Sequence, residues 1–164
     1  MQWGCFLNAF AFALFLSNSV PEQGKGLCGG QQATINCLKN NFRELYQKDY
    51  KQFWNILRSA EVKALRCHPI STTTEFLKLT PKADGEVAEY FSAVLEKKFL
   101  PSNPQCFLDA LVMADTESQK AIMRYLRYPI FSEEAKIREI LSRYRSTKQY
   151  GEVLEPYFKQ GKKN

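Results

Sequence analysis

The sequence predicts an all-α protein, and three observations support that class. Apolar residues recur at intervals of three and four along most of the chain, as they do on the buried face of a helix. Residues that favour helix starts stand just before several of these runs. No stretch alternates apolar and polar residues as a half-buried strand would. With 164 residues, 45% of them hydrophobic and 24% charged, the chain is long enough for one hydrophobic core.

Residues 1–19 predict a secretory signal peptide. The first 20 residues contain no charged side chain, and the apolar run from Cys5 to Leu16 is shorter than the roughly 20 residues of a membrane span. The small residues Ser17 and Ser19 suit a signal peptidase, so we expect cleavage after Ser19. No Lys or Arg precedes the run, which leaves an uncleaved anchor or a buried first helix as alternatives. We therefore expect a secreted or periplasmic protein without a transmembrane span once the signal is removed.

Four cysteines remain after signal removal, and an even number in an exported chain predicts two disulfides. The candidates are Cys28, Cys37, Cys67 and Cys106. The sequence does not choose among their three pairings, and buried free thiols are the alternative. Zinc is not expected, because the chain has no C-x-x-C pair and its only histidine, His68, directly follows Cys67.

The domain organisation follows from composition and from helix punctuation. Residues 20–30 form a flexible leader, residues 31–159 a single helical domain, and residues 160–164 a basic tail. A first helix carries Ile35, Leu38, Phe42 and Leu45, and Asp49 starts a second helix that ends before Cys67-His68-Pro69.

Five further start signals follow along the chain. Thr72-Thr73-Thr74-Glu75 has capping-box spacing and predicts a short helix, and Asp84 is expected to cap a longer one. Asn103-Pro104 predicts the next start. Asp115 is expected to begin a helix that buries Ile122, Leu126 and Ile130 and ends or bends near Pro129. Ser132-Glu133-Glu134 starts another, and a last segment runs from Tyr150 to Phe158.

An internal similarity bears on the architecture. When Thr74–Leu100 is laid over Gln105–Phe131, six of 27 positions are identical, including Asp84 with Asp115, each expected to cap the second helix of a pair. Two helices in each period of this length predict a short stack of antiparallel helix pairs, a HEAT-like α-solenoid. A compact helical bundle of about seven to eight helices is the competing architecture.

Little in the sequence indicates catalysis. There is no phosphate-binding glycine loop, nucleophile elbow or H-E-x-x-H motif, so we expect no cofactor and no metal. Cys67 and His68 are adjacent in the chain, and adjacent side chains rarely point at each other as a nucleophile and its base must. Most carboxylates have a predicted capping role, with Asp109 and Glu117 the least explained. We predict that the protein is not an enzyme, with a hydrolase using paired carboxylates as the alternative.

The end of the chain is basic and aromatic. From Arg124 onward there are ten basic and five acidic side chains, and tyrosines are interleaved with them. This pattern predicts a binding surface, whose candidate residues are Arg124, Arg127, Tyr128, Arg138, Arg143, Tyr144, Arg145 and Lys148. A solvated basic face, with its tyrosines partly in the core, is the plainer interpretation.

The functional hypothesis is an exported helical binding or adaptor protein. The expected partner is a protein with an acidic surface, and inhibition or neutralisation of a toxin or enzyme, as by an immunity-type protein, would fit. Anionic lipids and anionic glycans are the other candidates, whereas nucleic acid is a poor candidate partner for an exported protein. The alternative function is a carrier that holds a lipid or a small apolar ligand in a pocket between helices.

Overall fold

The computed structural model describes residues 27–28 and 34–159. The predicted signal peptide, its cleavage point, most of the leader and the basic tail lie outside the described residues. Within them the secondary structure is helical and contains no strand, which confirms the predicted all-α class.

Nine α-helices follow one another in the described residues, with these bounds: α1 (Ile35–Asn40), α2 (Phe42–Lys48), α3 (Tyr50–Ala64), α4 (Ile70–Leu77), α5 (Gly85–Val94), α6 (Pro104–Val112), α7 (Thr116–Arg127), α8 (Glu134–Ser142) and α9 (Lys148–Lys159). A 3-10 turn, Thr80–Lys82, lies between α4 and α5. A π-helical segment, Leu95–Phe99, and a last turn, Leu100–Ser102, extend α5.

Three of the predicted helix caps are confirmed by their hydrogen bonds. The side chains of Asp49, Asn103 and Asp115 each accept from the backbone N–H three residues on, at 3.0, 3.1 and 2.9 Å. Such bonds satisfy amides that have no partner within the helix. The same backbone bond lowers the pKa of the Asp115 carboxyl, because it favours the ionised form.

Other predicted starts are wrong in detail. The threonines of the predicted capping box lie inside α4, which begins directly after Pro69, and the Thr73 hydroxyl donates to the Ala64 carbonyl at 2.8 Å. Asp84 stands at the predicted position, but its side chain makes no cap bond. The amide that it would bind, that of Val87, already donates to the Asp84 carbonyl at 3.0 Å.

The predicted first helix is divided into α1 and α2 at Asn41. The backbone N–H and the side-chain amide of Asn41 both donate to the Cys37 carbonyl, at 3.0 and 3.1 Å, and such a local side-chain bond is typical of a helix end. The last helix is longer than predicted, since α9 begins at Lys148 and continues through Pro156 to Lys159.

The core is one continuous cluster of aromatic and aliphatic side chains. A series of aromatic side chains runs from α2 to α6, and the ring centroids of successive members lie at most 6.1 Å apart. In order, they are Phe42, Phe53, Trp54, Tyr90, Phe91, Phe76, Phe99 and Phe107. Tilted and edge-to-face pairs of this kind stabilise a core beyond the area that they bury. The helices therefore share a single hydrophobic core.

Of the two competing architectures, the structure is the compact bundle. Helix α4 packs between α3 and α6, while α9 returns to pack against both α6 and α7. The two predicted repeat units agree at their second helices, since α5 and α7 begin directly after Asp84 and Asp115. Their first helices are out of register: Phe76 lies near the end of α4, and Phe107 near the start of α6.

Two disulfides tie the chain together, and they join Cys28 to Cys37 and Cys67 to Cys106. The first fastens the leader to α1, and the second connects the turn after α3 to α6 across 39 residues. Two disulfides in one domain indicate an oxidising compartment. Among the helices described, none is long and apolar enough to span a membrane.

Candidate functional site

The predicted binding residues are distributed over the last three helices. Arg124 and Arg127 lie on α7, with Tyr128 at its end. Arg138 is on α8, and Arg143, Tyr144 and Arg145 follow it. Lys148 is the first residue of α9.

The structure brings three of the predicted arginines to the last two turns of α9. The guanidinium group of Arg138 lies 5.5 Å from the ring centroid of Tyr157, and that of Arg145 lies 4.7 Å from the ring centroid of Phe158. Arg127 donates to the carbonyl oxygen of Pro156. A basic, aromatic surface thus forms where α7, α8 and α9 meet.

Part of the positive charge on this surface is balanced locally. Arg138 pairs with Glu134 at 2.9 Å, and Arg143 pairs with Glu139, both one turn back on α8. Exposed pairs of this kind contribute little to stability, but they neutralise charge. In the described part of the chain, Arg124, Arg145 and Lys148 form no ion pair, so none of these three charges is balanced by a carboxylate within ion-pair distance.

Tyr144 is the less exposed of the two predicted tyrosines. Tyr144 is half-buried, and its ring centroid lies 5.9 Å from that of the buried Tyr150. It packs α8 against α9. The half-buried Phe158 also lies beside the arginines, and its only signal in the sequence is its place near the end of an apolar helix face.

The loop between α7 and α8 is an exposed apolar feature, and one of its residues, Ile130, was placed wrongly from the sequence. Ile130 was expected on a buried helix face, yet it is 59% exposed, beside Tyr128 at 70% and Phe131 at 39%. The reason is that α7 ends at Arg127, before Pro129, so helical periodicity no longer directs Ile130 inward. The apolar loop, Tyr128-Pro129-Ile130-Phe131, is thus displayed on the surface.

A buried carboxylate holds this apolar loop. Glu96 is 2% exposed, and its two carboxylate oxygens accept from the backbone N–H groups of Ile130 at 3.0 Å and Phe131 at 2.7 Å. The neighbouring Lys97 lies outside the loop, with its ammonium 4.8 Å from the Phe131 ring centroid. Glu96 therefore contacts the loop from its buried side, and the next residue, Lys97, contacts it from its exposed side.

Asp109 and Glu117, the carboxylates with no predicted role, lie in different clefts. Asp109 lines an open cleft of about 450 Å³ beside the Cys67–Cys106 disulfide, and Glu117 lines one of about 350 Å³ with Lys120 and Arg124. Asp109 accepts from the hydroxyl of Tyr150 at 2.6 Å, which raises the pKa of Tyr150 to about 12. Its role is to join α6 to α9.

The clefts and cysteines of the described residues bear on the two catalytic alternatives. Five of the clefts, of about 240 to 450 Å³, are each lined by at most one carboxylate. Cys67 is consumed in a disulfide and has no thiol beside His68. In this part of the chain, no group of three or more His, Cys, Asp or Glu side chains could hold a metal ion.

The fold and this surface define the class: a disulfide-bonded, all-α bundle with a basic, aromatic face and an exposed apolar loop. No protein-family model, curated protein sequence or solved structure matches the chain.

Proposed function

We propose that this is an exported binding protein that recognises a protein partner with an acidic surface. The surface is that formed by α7, α8 and α9, and the observation that carries the proposal is Arg145. Its guanidinium group is exposed, lies 4.7 Å from the Phe158 ring centroid and has no ion pair among the described residues.

Stacking makes this arginine suited to binding. A guanidinium group that lies over an aromatic ring keeps its N–H donors in its own plane, where they remain available to a partner. Two parallel N–H donors match the two oxygens of a carboxylate, so an acidic protein surface is the natural complement. The ring also restricts the side chain before binding, which lowers the entropy lost on association.

The proposed setting is outside the cytoplasm, in a secreted or periplasmic location. The two disulfides support an oxidising compartment, and the uncharged apolar start of the sequence supports export. A small, cross-linked bundle that presents a fixed charged surface would suit an inhibitor or an immunity-type protein, which must bind a target without chemistry of its own.

The test is affinity capture from the native compartment with matched charge reversals. Arg145→Glu combined with Lys148→Glu removes the local positive charge without breaking an ion pair between described residues. Lys51→Glu combined with Lys63→Glu makes the same change in net charge on α3, where both side chains are exposed. We expect the first variant to lose a partner that the wild type and the second variant both retain. Capture of the same partners by all three proteins would contradict the proposal.

The carrier alternative has no comparable support. The aromatic side chains that would line a ligand pocket pack against one another in the core, from Phe42 on α2 to Phe107 on α6. Paired-carboxylate hydrolysis also lacks an observation in its favour, since the described clefts bring no two acids together.

A further inference from the structure

We propose that the apolar loop between α7 and α8 binds the interface of an anionic lipid bilayer. This inference goes beyond the proposed protein partner, and it rests on a different set of contacts. Three large side chains of four consecutive residues are exposed: Tyr128 at 70%, Ile130 at 59% and Phe131 at 39%. Exposed apolar side chains grouped in this way mark an interaction site more often than isolated ones do.

The backbone of the loop is prepared for a medium with little water. Transfer of a backbone N–H or C=O group out of water costs free energy when the group has no hydrogen-bond partner. This cost limits which loops can enter a membrane interface. Glu96 accepts from the N–H groups of both Ile130 and Phe131 from the buried side. These two amides therefore need no water when their side chains enter the lipid.

Basic side chains surround the apolar loop. The exposed Arg124 lies one helical turn before Tyr128, whose N–H donates to the Arg124 carbonyl at 3.2 Å. Arg127 directly precedes Tyr128, but its guanidinium group donates to the Pro156 carbonyl, so Arg124 is the basic side chain on this side of the loop. Lys97 lies over the Phe131 ring on the other side. Long basic side chains can reach lipid phosphates while neighbouring apolar groups enter the acyl region, and each such charge favours anionic lipid.

Glu96, the acid nearest the loop, is buried beneath it and bound to its amides. Glu117 lines the same cleft as Arg124, together with Lys120.

The acids that follow the loop have cations of their own. Glu133 pairs with Lys136 at 3.3 Å and Glu134 pairs with Arg138 at 2.9 Å, so both carry a local counter-charge. From Ser118 to Ser132 the sequence contains basic residues but no Asp or Glu. Charge complementarity therefore favours an anionic surface at the loop.

A bilayer fits this geometry better than a protein pocket does. The apolar groups project from a short loop at the end of a helix, and a lipid interface accepts such a projection without a matching shape. Tyrosine at the edge of an apolar group, with basic residues around it, is also the pattern of interfacial anchors.

Vesicle binding by the purified, disulfide-bonded chain tests the inference. The probe is sedimentation with vesicles of phosphatidylcholine that contain about one-third phosphatidylglycerol, alongside vesicles of phosphatidylcholine alone. We expect the wild type to bind the anionic vesicles. Ile130→Ser combined with Phe131→Ser is expected to weaken that binding at least about tenfold, because two large apolar side chains no longer enter the lipid.

The matched control removes two exposed apolar side chains elsewhere. Val62 on α3 and Met113 at the end of α6 are 54% and 55% exposed, so Val62→Ser combined with Met113→Ser should leave vesicle binding unchanged. All variants carry the same N-terminus, so any binding by that segment is common to them. Circular dichroism and thermal unfolding establish that each variant is folded.

Three outcomes would overturn the inference. The wild type fails to bind anionic vesicles, as expected if the loop instead docks into a protein. The loop variant binds as tightly as the wild type, as expected if the basic surface alone attracts the vesicles. The loop variant and the control variant lose binding equally. Should the loop variant not fold, Phe131→Trp provides a second measurement. With anionic vesicles its emission should shift further to the blue than that of the wild type, which contains Trp3 and Trp54, and an equal shift in the two proteins would contradict the proposal.

Discussion

At the residue scale, two buried or partly buried carboxylates accept long-range hydrogen bonds that could not be predicted from their positions in the sequence. Glu96 accepts from the amides of the apolar loop, and Asp109 accepts from the hydroxyl of Tyr150. Each acid lies more than 30 residues from its partners, with sequence separations of 34, 35 and 41. Local patterns identify an acid at a helix start, but they cannot identify an acceptor across such a distance.

Replacing Glu96 with glutamine tests its hold on the apolar loop. Glutamine offers one acceptor oxygen where the carboxylate offers two, so one partly buried N–H of the loop loses its partner. We expect the free energy of unfolding to fall by about 1–3 kcal/mol, measured by denaturant unfolding, and the Ile130 or Phe131 amide to exchange faster. Glu89→Gln, on the exposed face of the same helix, is the control and should change stability by less than about 0.5 kcal/mol. Equal stability of the two variants would contradict the assigned role.

Tyr150 gives a prediction with a defined pH range. Its bond to Asp109 raises the pKa of the folded state to about 12, whereas an unfolded tyrosine titrates near 10. Below about pH 10 the tyrosine is protonated in both states, and the full stabilisation is present. Between about pH 10 and 12 the unfolded state loses its proton first, so the stabilisation declines as the pH rises.

The measurement compares the unfolding free energies of the wild type and Tyr150→Phe from about pH 8 to 12, with disulfides intact. We expect the wild type to be more stable at the lower pH values and the difference to shrink above about pH 10. Tyr46, whose pKa is also raised to about 12 by its bond to Glu86, is present in both proteins and cancels. A difference that stays constant with pH would show that the Tyr150 hydroxyl does not carry the effect.

At the scale of elements, the helix starts illustrate what the sequence can predict. Asp49, Asn103 and Asp115 cap their helices through local hydrogen bonds, and such bonds depend only on residues nearby in the chain. Thr72–Glu75 shows the same spacing but lies within α4, where the threonine hydroxyls of Thr73 and Thr74 donate to carbonyls instead. A capping pattern thus predicts the right start only where the helix has not already begun, as α4 does directly after Pro69.

Asp84 and Asp115 form a matched pair, because they occupy equivalent positions but only one makes the cap bond. The Asp115 side chain accepts from the Ser118 amide at 2.9 Å, whereas that of Asp84 accepts no such bond. We expect Asp115→Ala to cost about 0.5–2 kcal/mol of unfolding free energy and Asp84→Ala to cost less than about 0.5 kcal/mol. Thermal or denaturant unfolding measures both, and a larger loss at Asp84 would reverse the assignment.

The apolar loop shows why the exposed site escaped prediction. Ile130 continues the spacing of Ile122 and Leu126, so periodicity alone assigns it to the core. The side chain instead faces solvent because α7 ends at Arg127 and the amides of the following residues turn toward Glu96. Where a helix ends decides whether its last apolar residue is core or surface.

At the scale of the whole molecule, the all-α class and the basic character of the final helices follow from the sequence. The choice between a helical stack and a compact bundle does not, because it depends on α9 packing back onto α6 and α7. The disulfide pairing depends on the same folding, which brings Cys67 and Cys106 together while leaving Cys28 with Cys37. Helix packing and disulfide pairing both depend on contacts between residues far apart in the chain, and the periodicity of the sequence carries no information about such contacts.

The basic surface is also a property of the whole molecule. Arg127, Arg138 and Arg145 come from α7, α8 and the turn after it, and they meet only because α9 presents Pro156, Tyr157 and Phe158 between them. The charge excess in the sequence indicates the region, and the packing selects which side chains form the surface. Tyr144, which the sequence placed in that surface, is half-buried and packs against Tyr150 of α9.

The most direct test of the proposed function is the affinity of the captured partner for three forms of the protein, measured in one buffer. Arg145→Glu with Lys148→Glu should raise the dissociation constant at least about tenfold, because two unbalanced cations on the surface become anions facing an acidic partner. Lys51→Glu with Lys63→Glu, which changes the net charge equally, should stay within about twofold of the wild type. Equal weakening by both variants would show that only net charge matters, and it would contradict a defined binding surface on α7, α8 and α9.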